Sequence, residues 1–311
     1  MTDNLYDVIV VGAGAAGLTA GIYTSRAKHK TLILNEGAVG GQMVLTNEIA
    51  NYPGVPTTNG YMLANAMRTQ ARQFGSKIKN NVKITSLQLE GDIKKVGLHN
   101  GEVFYAKTVI LTPGGKPRSL DIPGEDKFKG MGISYCATCD GEFFQDKEVV
   151  VVGGGNSALE EAITLTSFAS KVTIVHQFDH FQAFEHAIEE VKNNPKIEII
   201  LSSELREFKG EEKLQSVVVE HLPTGKQSEI KVDGVFIFIG YIPNTAWLNG
   251  AVQKNDNQEI ITTPLMETNV GGVFAGGDCI AKKYRQVTTA VADGTIAALS
   301  ASEYLRNHHV S

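Results

Sequence analysis

Apolar residues in this chain gather in short, nearly unbroken runs, each closed by glycine. Tyr6-Asp7-Val8-Ile9-Val10-Val11 runs straight into Gly12-Ala13-Gly14-Ala15-Ala16-Gly17. A run that is apolar on both faces suits a parallel strand covered on both sides. Helix formers follow to about Ala27. Thr31-Leu32-Ile33-Leu34 is the next strand-like run, and it ends in Asn35 and Glu36. The pattern predicts strand, tight turn, helix, strand. The same pattern returns about 140 residues later, with Glu148-Val149-Val150-Val151-Val152, the turn Gly153-Gly154-Gly155-Asn156-Ser157-Ala158, a helix over 159–168, and Lys171-Val172-Thr173-Ile174-Val175.

Both stretches place their glycines between a strand and a helix, which is the context a dinucleotide fingerprint needs. Glycines there let the backbone approach a pyrophosphate, whose charge is favoured at the helix N-terminus. In the first stretch an acid, Glu36, follows 24 residues after Gly12. Between the two, Val109-Ile110-Leu111 ends in the Gly/Pro-rich segment 112–118. The apolar run 235–239 ends likewise in 240–245. Both read as crossings between domains. Beyond them lie Val273-Phe274-Ala275-Gly276-Gly277-Asp278 and an Ala-rich helix from about Thr288 to Leu305. The expected fold is α/β, with two Rossmann-like dinucleotide-binding domains, the second inserted into a discontinuous first. The expected boundaries are 1–115 with 246–311, and 116–245.

Composition narrows the function. The formal charge of −5 argues against a nucleic-acid partner. Residues 1–7 show no basic and apolar leader, and no apolar run is long enough to span a bilayer. Three cysteines in 311 residues are no disulfide scaffold, so the expected compartment is the cytosol.

Two of those cysteines form Cys136-Ala137-Thr138-Cys139, followed by Asp140. Such a pair is either redox-active or half of a zinc site. Only Cys279 remains, and no histidine pair at finger spacing follows, so a redox role is expected and no metal. Cys279 reads as a small packed residue. Asp140 reads either as a turn residue before Gly141 or as an acid serving the cysteines. His176, His180 and His186 fall at a strand end and in a loop rather than on one helix face, and read as packed or solvated.

Taken together, Gly12 to Gly17, Gly40-Gly41-Gln42, Asn51-Tyr52-Pro53-Gly54, the Cys136–Cys139 motif with Asp140, the turn at 153–158, Gly276-Gly277-Asp278 and Arg285-Gln286 resemble the low-molecular-weight thioredoxin reductases. The resemblance covers essentially the whole chain. It implies an FAD domain, a smaller pyridine-nucleotide domain carrying the disulfide, and a homodimer. It implies that Gly12, Gly14, Ala15 and Ala16 hold the FAD pyrophosphate and that Glu36 meets the adenosine ribose. Gly41, Gln42, Asn51 and Gly114 would line the flavin. Asp278 would bond the ribityl chain, and Arg285, Gln286 and Val287 would flank the ring system. Cys139 would be the sulfur nearer the flavin, Cys136 the one that attacks a partner disulfide, and Asp140 the acid. The partner would be thioredoxin or a thioredoxin-like protein.

The chain departs from that family at one place. NADPH-dependent members carry His-Arg-Arg and a further arginine where this chain has His176-Gln177-Phe178-Asp179-His180-Phe181-Gln182. Those arginines clasp the 2′-phosphate of NADPH. A hydrogen bond to a charged group contributes roughly 1.5–3 kcal/mol, so losing two weakens NADPH on the order of 100-fold or more. Gly153, Gly155, Asn156 and Ser157, with His176, Gln177 and Gln182, would form a degraded pyridine-nucleotide site. The glycines serve equally for helix–strand packing with no nucleotide. The expected function is an FAD-dependent disulfide reductase whose donor is NADH, reduced ferredoxin or another carrier rather than NADPH. Two rival readings stand beside it: a flavin-dependent dithiol oxidase, and a non-catalytic FAD-binding module.

Overall fold

A computed structural model describes residues 4–46 and 49–308. Met1, Thr2 and Asp3, read above for a leader, lie outside them. The chain divides into two compact units, Met1–Lys116 with Ile242–Ser311, and Pro117–Tyr241.

The first unit opens with β1 (Leu5–Val11), α1 (Ala15–Arg26) and β2 (Thr31–Leu34). After α2 (Gly60–Gln73) come β3 (Lys77–Lys79), β4 (Ile84–Gln88), β5 (Lys94–Leu98) and β6 (Val103–Leu111). The outgoing connection carries β7 (Gly115–Pro117).

The second unit begins with α3 (Glu125–Phe128), β8 (Ile133–Ser134) and the one-turn helix α4 (Ala137–Asp140). Its nucleotide-type core is β9 (Glu148–Val152), α5 (Asn156–Leu165), β10 (Lys171–Val175), α6 (Glu185–Asn193) and β11 (Ile197–Ile200). It ends with β12 (Ser203–Gly210), β13 (Leu214–His221), β14 (Lys226–Lys231) and β15 (Gly234–Ile237). The return connection carries β16 (Tyr241–Pro243). The first unit is then completed by β17 (Val273–Ala275) and α7 (Val287–Asn307).

Seven strands form the first unit's main sheet in the order β3-β2-β1-β6-β5-β4, with β17 on the C-terminal part of β6. Around β1 the pairing is parallel, and β4, β5 and β6 pair antiparallel. In the second unit a five-stranded parallel sheet runs β11-β10-β9-β15-β8, beside a three-stranded antiparallel sheet, β12-β13-β14.

The continuous valine run is explained by two covers. Val149 and Val151 of β9 pack toward α5 and α6, whereas Val150 and Val152 pack toward the three-stranded sheet. Alternate residues of a strand face opposite ways, so both sets must be apolar. Helix α5 starts at Asn156 and not at residue 159. The turn is complete at Gly155, and Asn156 and Ser157 are already in the first helical turn. The return crossing falls between Tyr241 and Ile242 rather than after residue 245. Asn244 belongs to the first unit, because its N–H donates to Gly114 O at 2.9 Å and its Nδ2 to Pro113 O at 3.1 Å.

Candidate active site

In the first unit three glycine-bearing segments converge. Gly12 has φ +104°, and a Cβ there would lie 2.1 Å from Thr112 O. A Cβ on Gly17 would stand 1.9 Å from Gly12 O. These two positions let the loop fold tightly onto β6. Gly14 is different: it caps α1, and nothing lies within 4 Å of where its Cβ would be. The turn of Gly40 and Gly41 docks on this loop, with Gly40 N donating to Ala13 O at 2.7 Å. A Cβ on Gly41 would be 3.3 Å from Gly14 Cα. From the far end of the chain, Gly277 and Gly294 both close on Ala16. Gly12, Gly14, Ala15, Ala16, Gly41 and Asp278 are thereby brought to one place.

Asp278 follows Gly277. Its Oδ1 is buried and makes no hydrogen bond, with Lys282 Nζ 3.6 Å away. Burial pushes this carboxyl above the usual range, and Lys282 and Arg285 pull it back. Lys282 itself donates to Asp293 Oδ2 at 2.7 Å, and the same oxygen accepts from Gly277 N at 3.0 Å. Arg285 pairs with the carboxylate of Glu259. Gln286 and Thr289 form a capping box at the start of α7, and Val287 packs onto the core. Glu36, Gln42 and Asn51 are exposed, and Gly114 turns the chain out of β6 with φ +64°.

In the second unit Cys136 and Cys139 are joined as a disulfide across α4, with their Cα atoms 5.3 Å apart. Cys136 caps the helix: its Sγ accepts from Cys139 N at 3.1 Å. Asp140 does more than make a turn. Its Oδ2 accepts from Ser134 Oγ at 2.6 Å, and Ser134 Oγ in turn accepts from Cys136 N at 3.1 Å. Burial raises the Asp140 carboxyl above its ordinary range, and the Ser134 bond opposes that. Tyr135, next to Cys136, donates to Glu125 Oε1 at 2.6 Å and so ties down the preceding strand. Cys279 is fully buried in the first unit, and burial pushes its thiol up to about 12.

The second glycine turn is built like the first. Gly153 has φ +136°, and its Cβ would be 2.3 Å from Phe238 O. Gln182 N donates to Gly154 O at 2.8 Å, and Phe184 N to Asn156 Oδ1 at 2.7 Å. His176, at the end of β10, is buried with its ring against Gly154, where a Cβ would come within 2.5 Å. Phe181 stacks on that ring at 5.9 Å, and Phe178 meets it edge-on at 5.3 Å. His176 Nε2 is buried without a hydrogen bond, and burial lowers its affinity for a proton. Gln177, Ser157 and Gln182 are exposed. Asp179 pairs with His180 at 2.6 Å.

Residues 6–294 match the family model for pyridine nucleotide-disulphide oxidoreductases. The chain is 45% identical to a thioredoxin reductase of Peptoclostridium acidaminophilum, covering 97% of this chain and 98% of that protein. It is 41% identical to a thioredoxin reductase of Bacillus subtilis, covering 97% and 96%. The crystal structure of thioredoxin reductase from Streptococcus pyogenes superposes with a TM-score of 0.94 at 38% identity, covering 98% of this chain and 99% of that one. The chain belongs to the low-molecular-weight thioredoxin reductase family. It is a flavoprotein disulfide oxidoreductase with two Rossmann-like dinucleotide-binding domains.

The segment from 176 to 186 carries few charges. It contains no lysine or arginine, and its charged residues are Asp179 and Glu185. Several residues around these sites escaped sequence reasoning. Asn35 is buried, and its Oδ1 accepts from Ala13 N at 3.0 Å while its Nδ2 donates to Gly37 O and Asn80 Oδ1. Its signal was its place at the strand end, one residue before the acid. Glu125, Glu259, Lys282 and Asp293 gave no local signal, because their partners are set by the fold.

Proposed function

We propose that this chain is an FAD-dependent reductase that passes electrons through Cys136–Cys139 to the disulfide of a thioredoxin or thioredoxin-like protein, and that its electron donor is not NADPH. The first unit fits FAD on its own evidence. Gly14 leaves open space at the N-terminus of α1, where a pyrophosphate is favoured. Asp278 Oδ1 is a buried acceptor with no donor of its own, as a ribityl hydroxyl would require. FAD, when bound, supplies the electron pair that opens the disulfide.

The residues of the second unit carry the rest. The opened disulfide leaves one sulfur as a thiolate, and Asp140, directly after Cys139 and with its carboxyl raised by burial, is the group placed to exchange a proton there. Cys136 then attacks one sulfur of the partner disulfide. A bond forms between the proteins, and the partner's second sulfur leaves as a thiolate. Cys139 attacks Cys136 Sγ, restores the internal disulfide and releases the partner as a dithiol. Two electrons and two protons have then passed to the partner. A homodimer working in the cytosol belongs to the same proposal; family resemblance supports the dimer and sparse cysteine the compartment.

One observation carries the donor reading. At the end of β10 the residues that would meet a 2′-phosphate are neutral Gln177 and Phe178, above a histidine packed into its own loop. The test is anaerobic mixing of the oxidised holoenzyme with NADPH, NADH and reduced ferredoxin in separate arms, following the visible flavin band. Slow or absent bleaching by NADPH is expected. Rapid bleaching at micromolar NADPH overturns the donor reading. Cys139→Ser with intact turnover of a thioredoxin disulfide overturns the mechanism.

A further inference from the structure

A buried hydroxyl joins the backbone of the attacking cysteine to the carboxyl of the acid. Ser134 ends β8, where its pairing with Phe236 of β15 fixes it at the edge of the five-stranded sheet. Ile133 packs on the side of the three-stranded sheet, with Val150 and Val152. Ser134, the next residue along the strand, therefore faces the other way, where it meets α4. It is 5% exposed, and a buried hydroxyl needs partners. Cys136 N donates to its Oγ at 3.1 Å. A hydroxyl has one hydrogen to give. Two acceptors lie within reach, Asp140 Oδ2 at 2.6 Å and Cys136 O at 3.3 Å. The shorter distance is that of an O–H donating to a carboxylate oxygen, so the hydrogen goes to Oδ2.

We propose that Ser134 is a positioning residue for proton exchange at the disulfide: it holds Asp140 Oδ2 as an acceptor and so leaves Oδ1 as the oxygen that takes and gives the proton. A carboxyl without this bond could turn about its Cβ–Cγ bond and present either oxygen. Because the same Oγ fixes Cys136 N, the acid and the backbone of the attacking cysteine are held in one arrangement. When the disulfide opens, the S–S bond breaks and one sulfur leaves with the electron pair as a thiolate. The proton passes from Asp140 Oδ1 to that sulfur, and it returns when the disulfide re-forms. Two causes act on the Asp140 carboxyl: burial raises it, and the Ser134 bond, which favours the carboxylate, opposes that. The neighbouring ionisable groups, Glu160 and Glu161 on α5 and Glu142 after Gly141, are unaltered by changing Ser134. This inference rests on Asp140 serving the disulfide as proposed above.

Ser134→Ala removes the hydroxyl, and Ser134→Thr keeps one. The holoenzyme is reduced anaerobically with dithionite and mixed with an excess of a small aromatic disulfide, and the return of the visible flavin band is timed from pH 5 to 9. In the parent the rate follows a pH limb that Asp140→Asn abolishes. Ser134→Ala is expected to move the midpoint of that limb up by about one pH unit, because the lost bond favoured the carboxylate. It also slows the rate at its own optimum on the order of tenfold. Ser134→Thr restores the parent's midpoint. An unmoved midpoint in Ser134→Ala overturns the proposal even where the rate falls, since that marks the loss of a merely structural bond. Should Ser134→Ala fail to fold, Ser134→Gly removes the same hydroxyl and is read in the same way. A limb that survives in Asp140→Asn overturns the acid reading itself and this inference with it. The small disulfide bypasses the protein partner, so failure of the thioredoxin reading shows separately, as absent thioredoxin turnover by the unaltered enzyme.

Discussion

Restoring arginine at three positions is expected to create an NADPH site. Gln177 and Gln182 are exposed and Phe178 is 41% exposed, so new guanidinium groups at these places have room to extend. Gln182 holds Gly154 O through its backbone N–H, which the substitution leaves alone. The cost falls at Phe178, whose ring meets His176 edge-on and stacks on His180 at 6.3 Å. Such ring contacts contribute about 0.5–1.5 kcal/mol each. The gain is larger: two charge-assisted bonds to a 2′-phosphate contribute roughly 3–6 kcal/mol. At about 1.4 kcal/mol per decade, NADPH should bind the triple variant Gln177→Arg/Phe178→Arg/Gln182→Arg on the order of 100-fold more tightly than the parent. Anaerobic titration by flavin bleaching, with NADH as the control, reads this directly. NADH should gain little, since it lacks the phosphate. A folded variant with the parent's affinity for NADPH would show that the strand end does not govern donor choice.

Three further outcomes follow from the same geometry. Gly17→Ala drives a Cβ to within 1.9 Å of Gly12 O and 2.6 Å of Thr112 Oγ1; a loss of about 3 kcal/mol or more in unfolding free energy is expected, with weakened FAD retention, read by denaturant titration and released-flavin fluorescence. Asp278→Ala removes the buried acceptor while Lys282 keeps Asp293; FAD should bind roughly ten- to a hundredfold more weakly to the apoprotein, and an unchanged affinity would remove Asp278 from the site. Asp140→Asn should slow disulfide turnover on the order of 100-fold. Because burial makes folded Asp140 hold its proton more tightly than the unfolded chain does, ionising it costs stability as pH rises through the carboxylate range. The Asn variant should therefore melt higher than the parent above that range, with the difference vanishing below it; a constant difference across pH would contradict the assignment.

The elements were legible where one local rule decided them. Thr31–Leu34, Glu148–Val152 and Lys171–Val175 have the bounds their apolar runs implied, because each strand is covered on both faces. The glycine turns were legible because Gly12, Gly17 and Gly153 sit where no Cβ fits. The pairings were not. Lys282 with Asp293, Arg285 with Glu259 and Tyr135 with Glu125 join residues whose approach depends on how helices and loops pack. Resemblance placed Arg285 beside a flavin and was silent on the carboxylate that holds its guanidinium.

The two glycine turns also show why the electron exit reads more clearly than the entrance. In each, the residue at the end of the second strand serves its own loop: Asn35 accepts from Ala13 N, and His176 packs against Gly154. What remains for an adenosine ribose is the next position, which is exposed in both. In the first turn that residue is Glu36, able to accept from ribose hydroxyls. In the second it is Gln177, which carries neither the acid that selects a free 2′-hydroxyl nor the cation that selects a 2′-phosphate. The second unit keeps the glycine turn, which β9 and α5 use to pack, and places a neutral amide at the position after its strand end. A fold can retain such a loop for stability alone. The cysteines on α4 answer to a stricter demand, since no packing requirement would hold Cys136 and Cys139 in a disulfide with an Asp140 carboxyl, raised by burial, beside them.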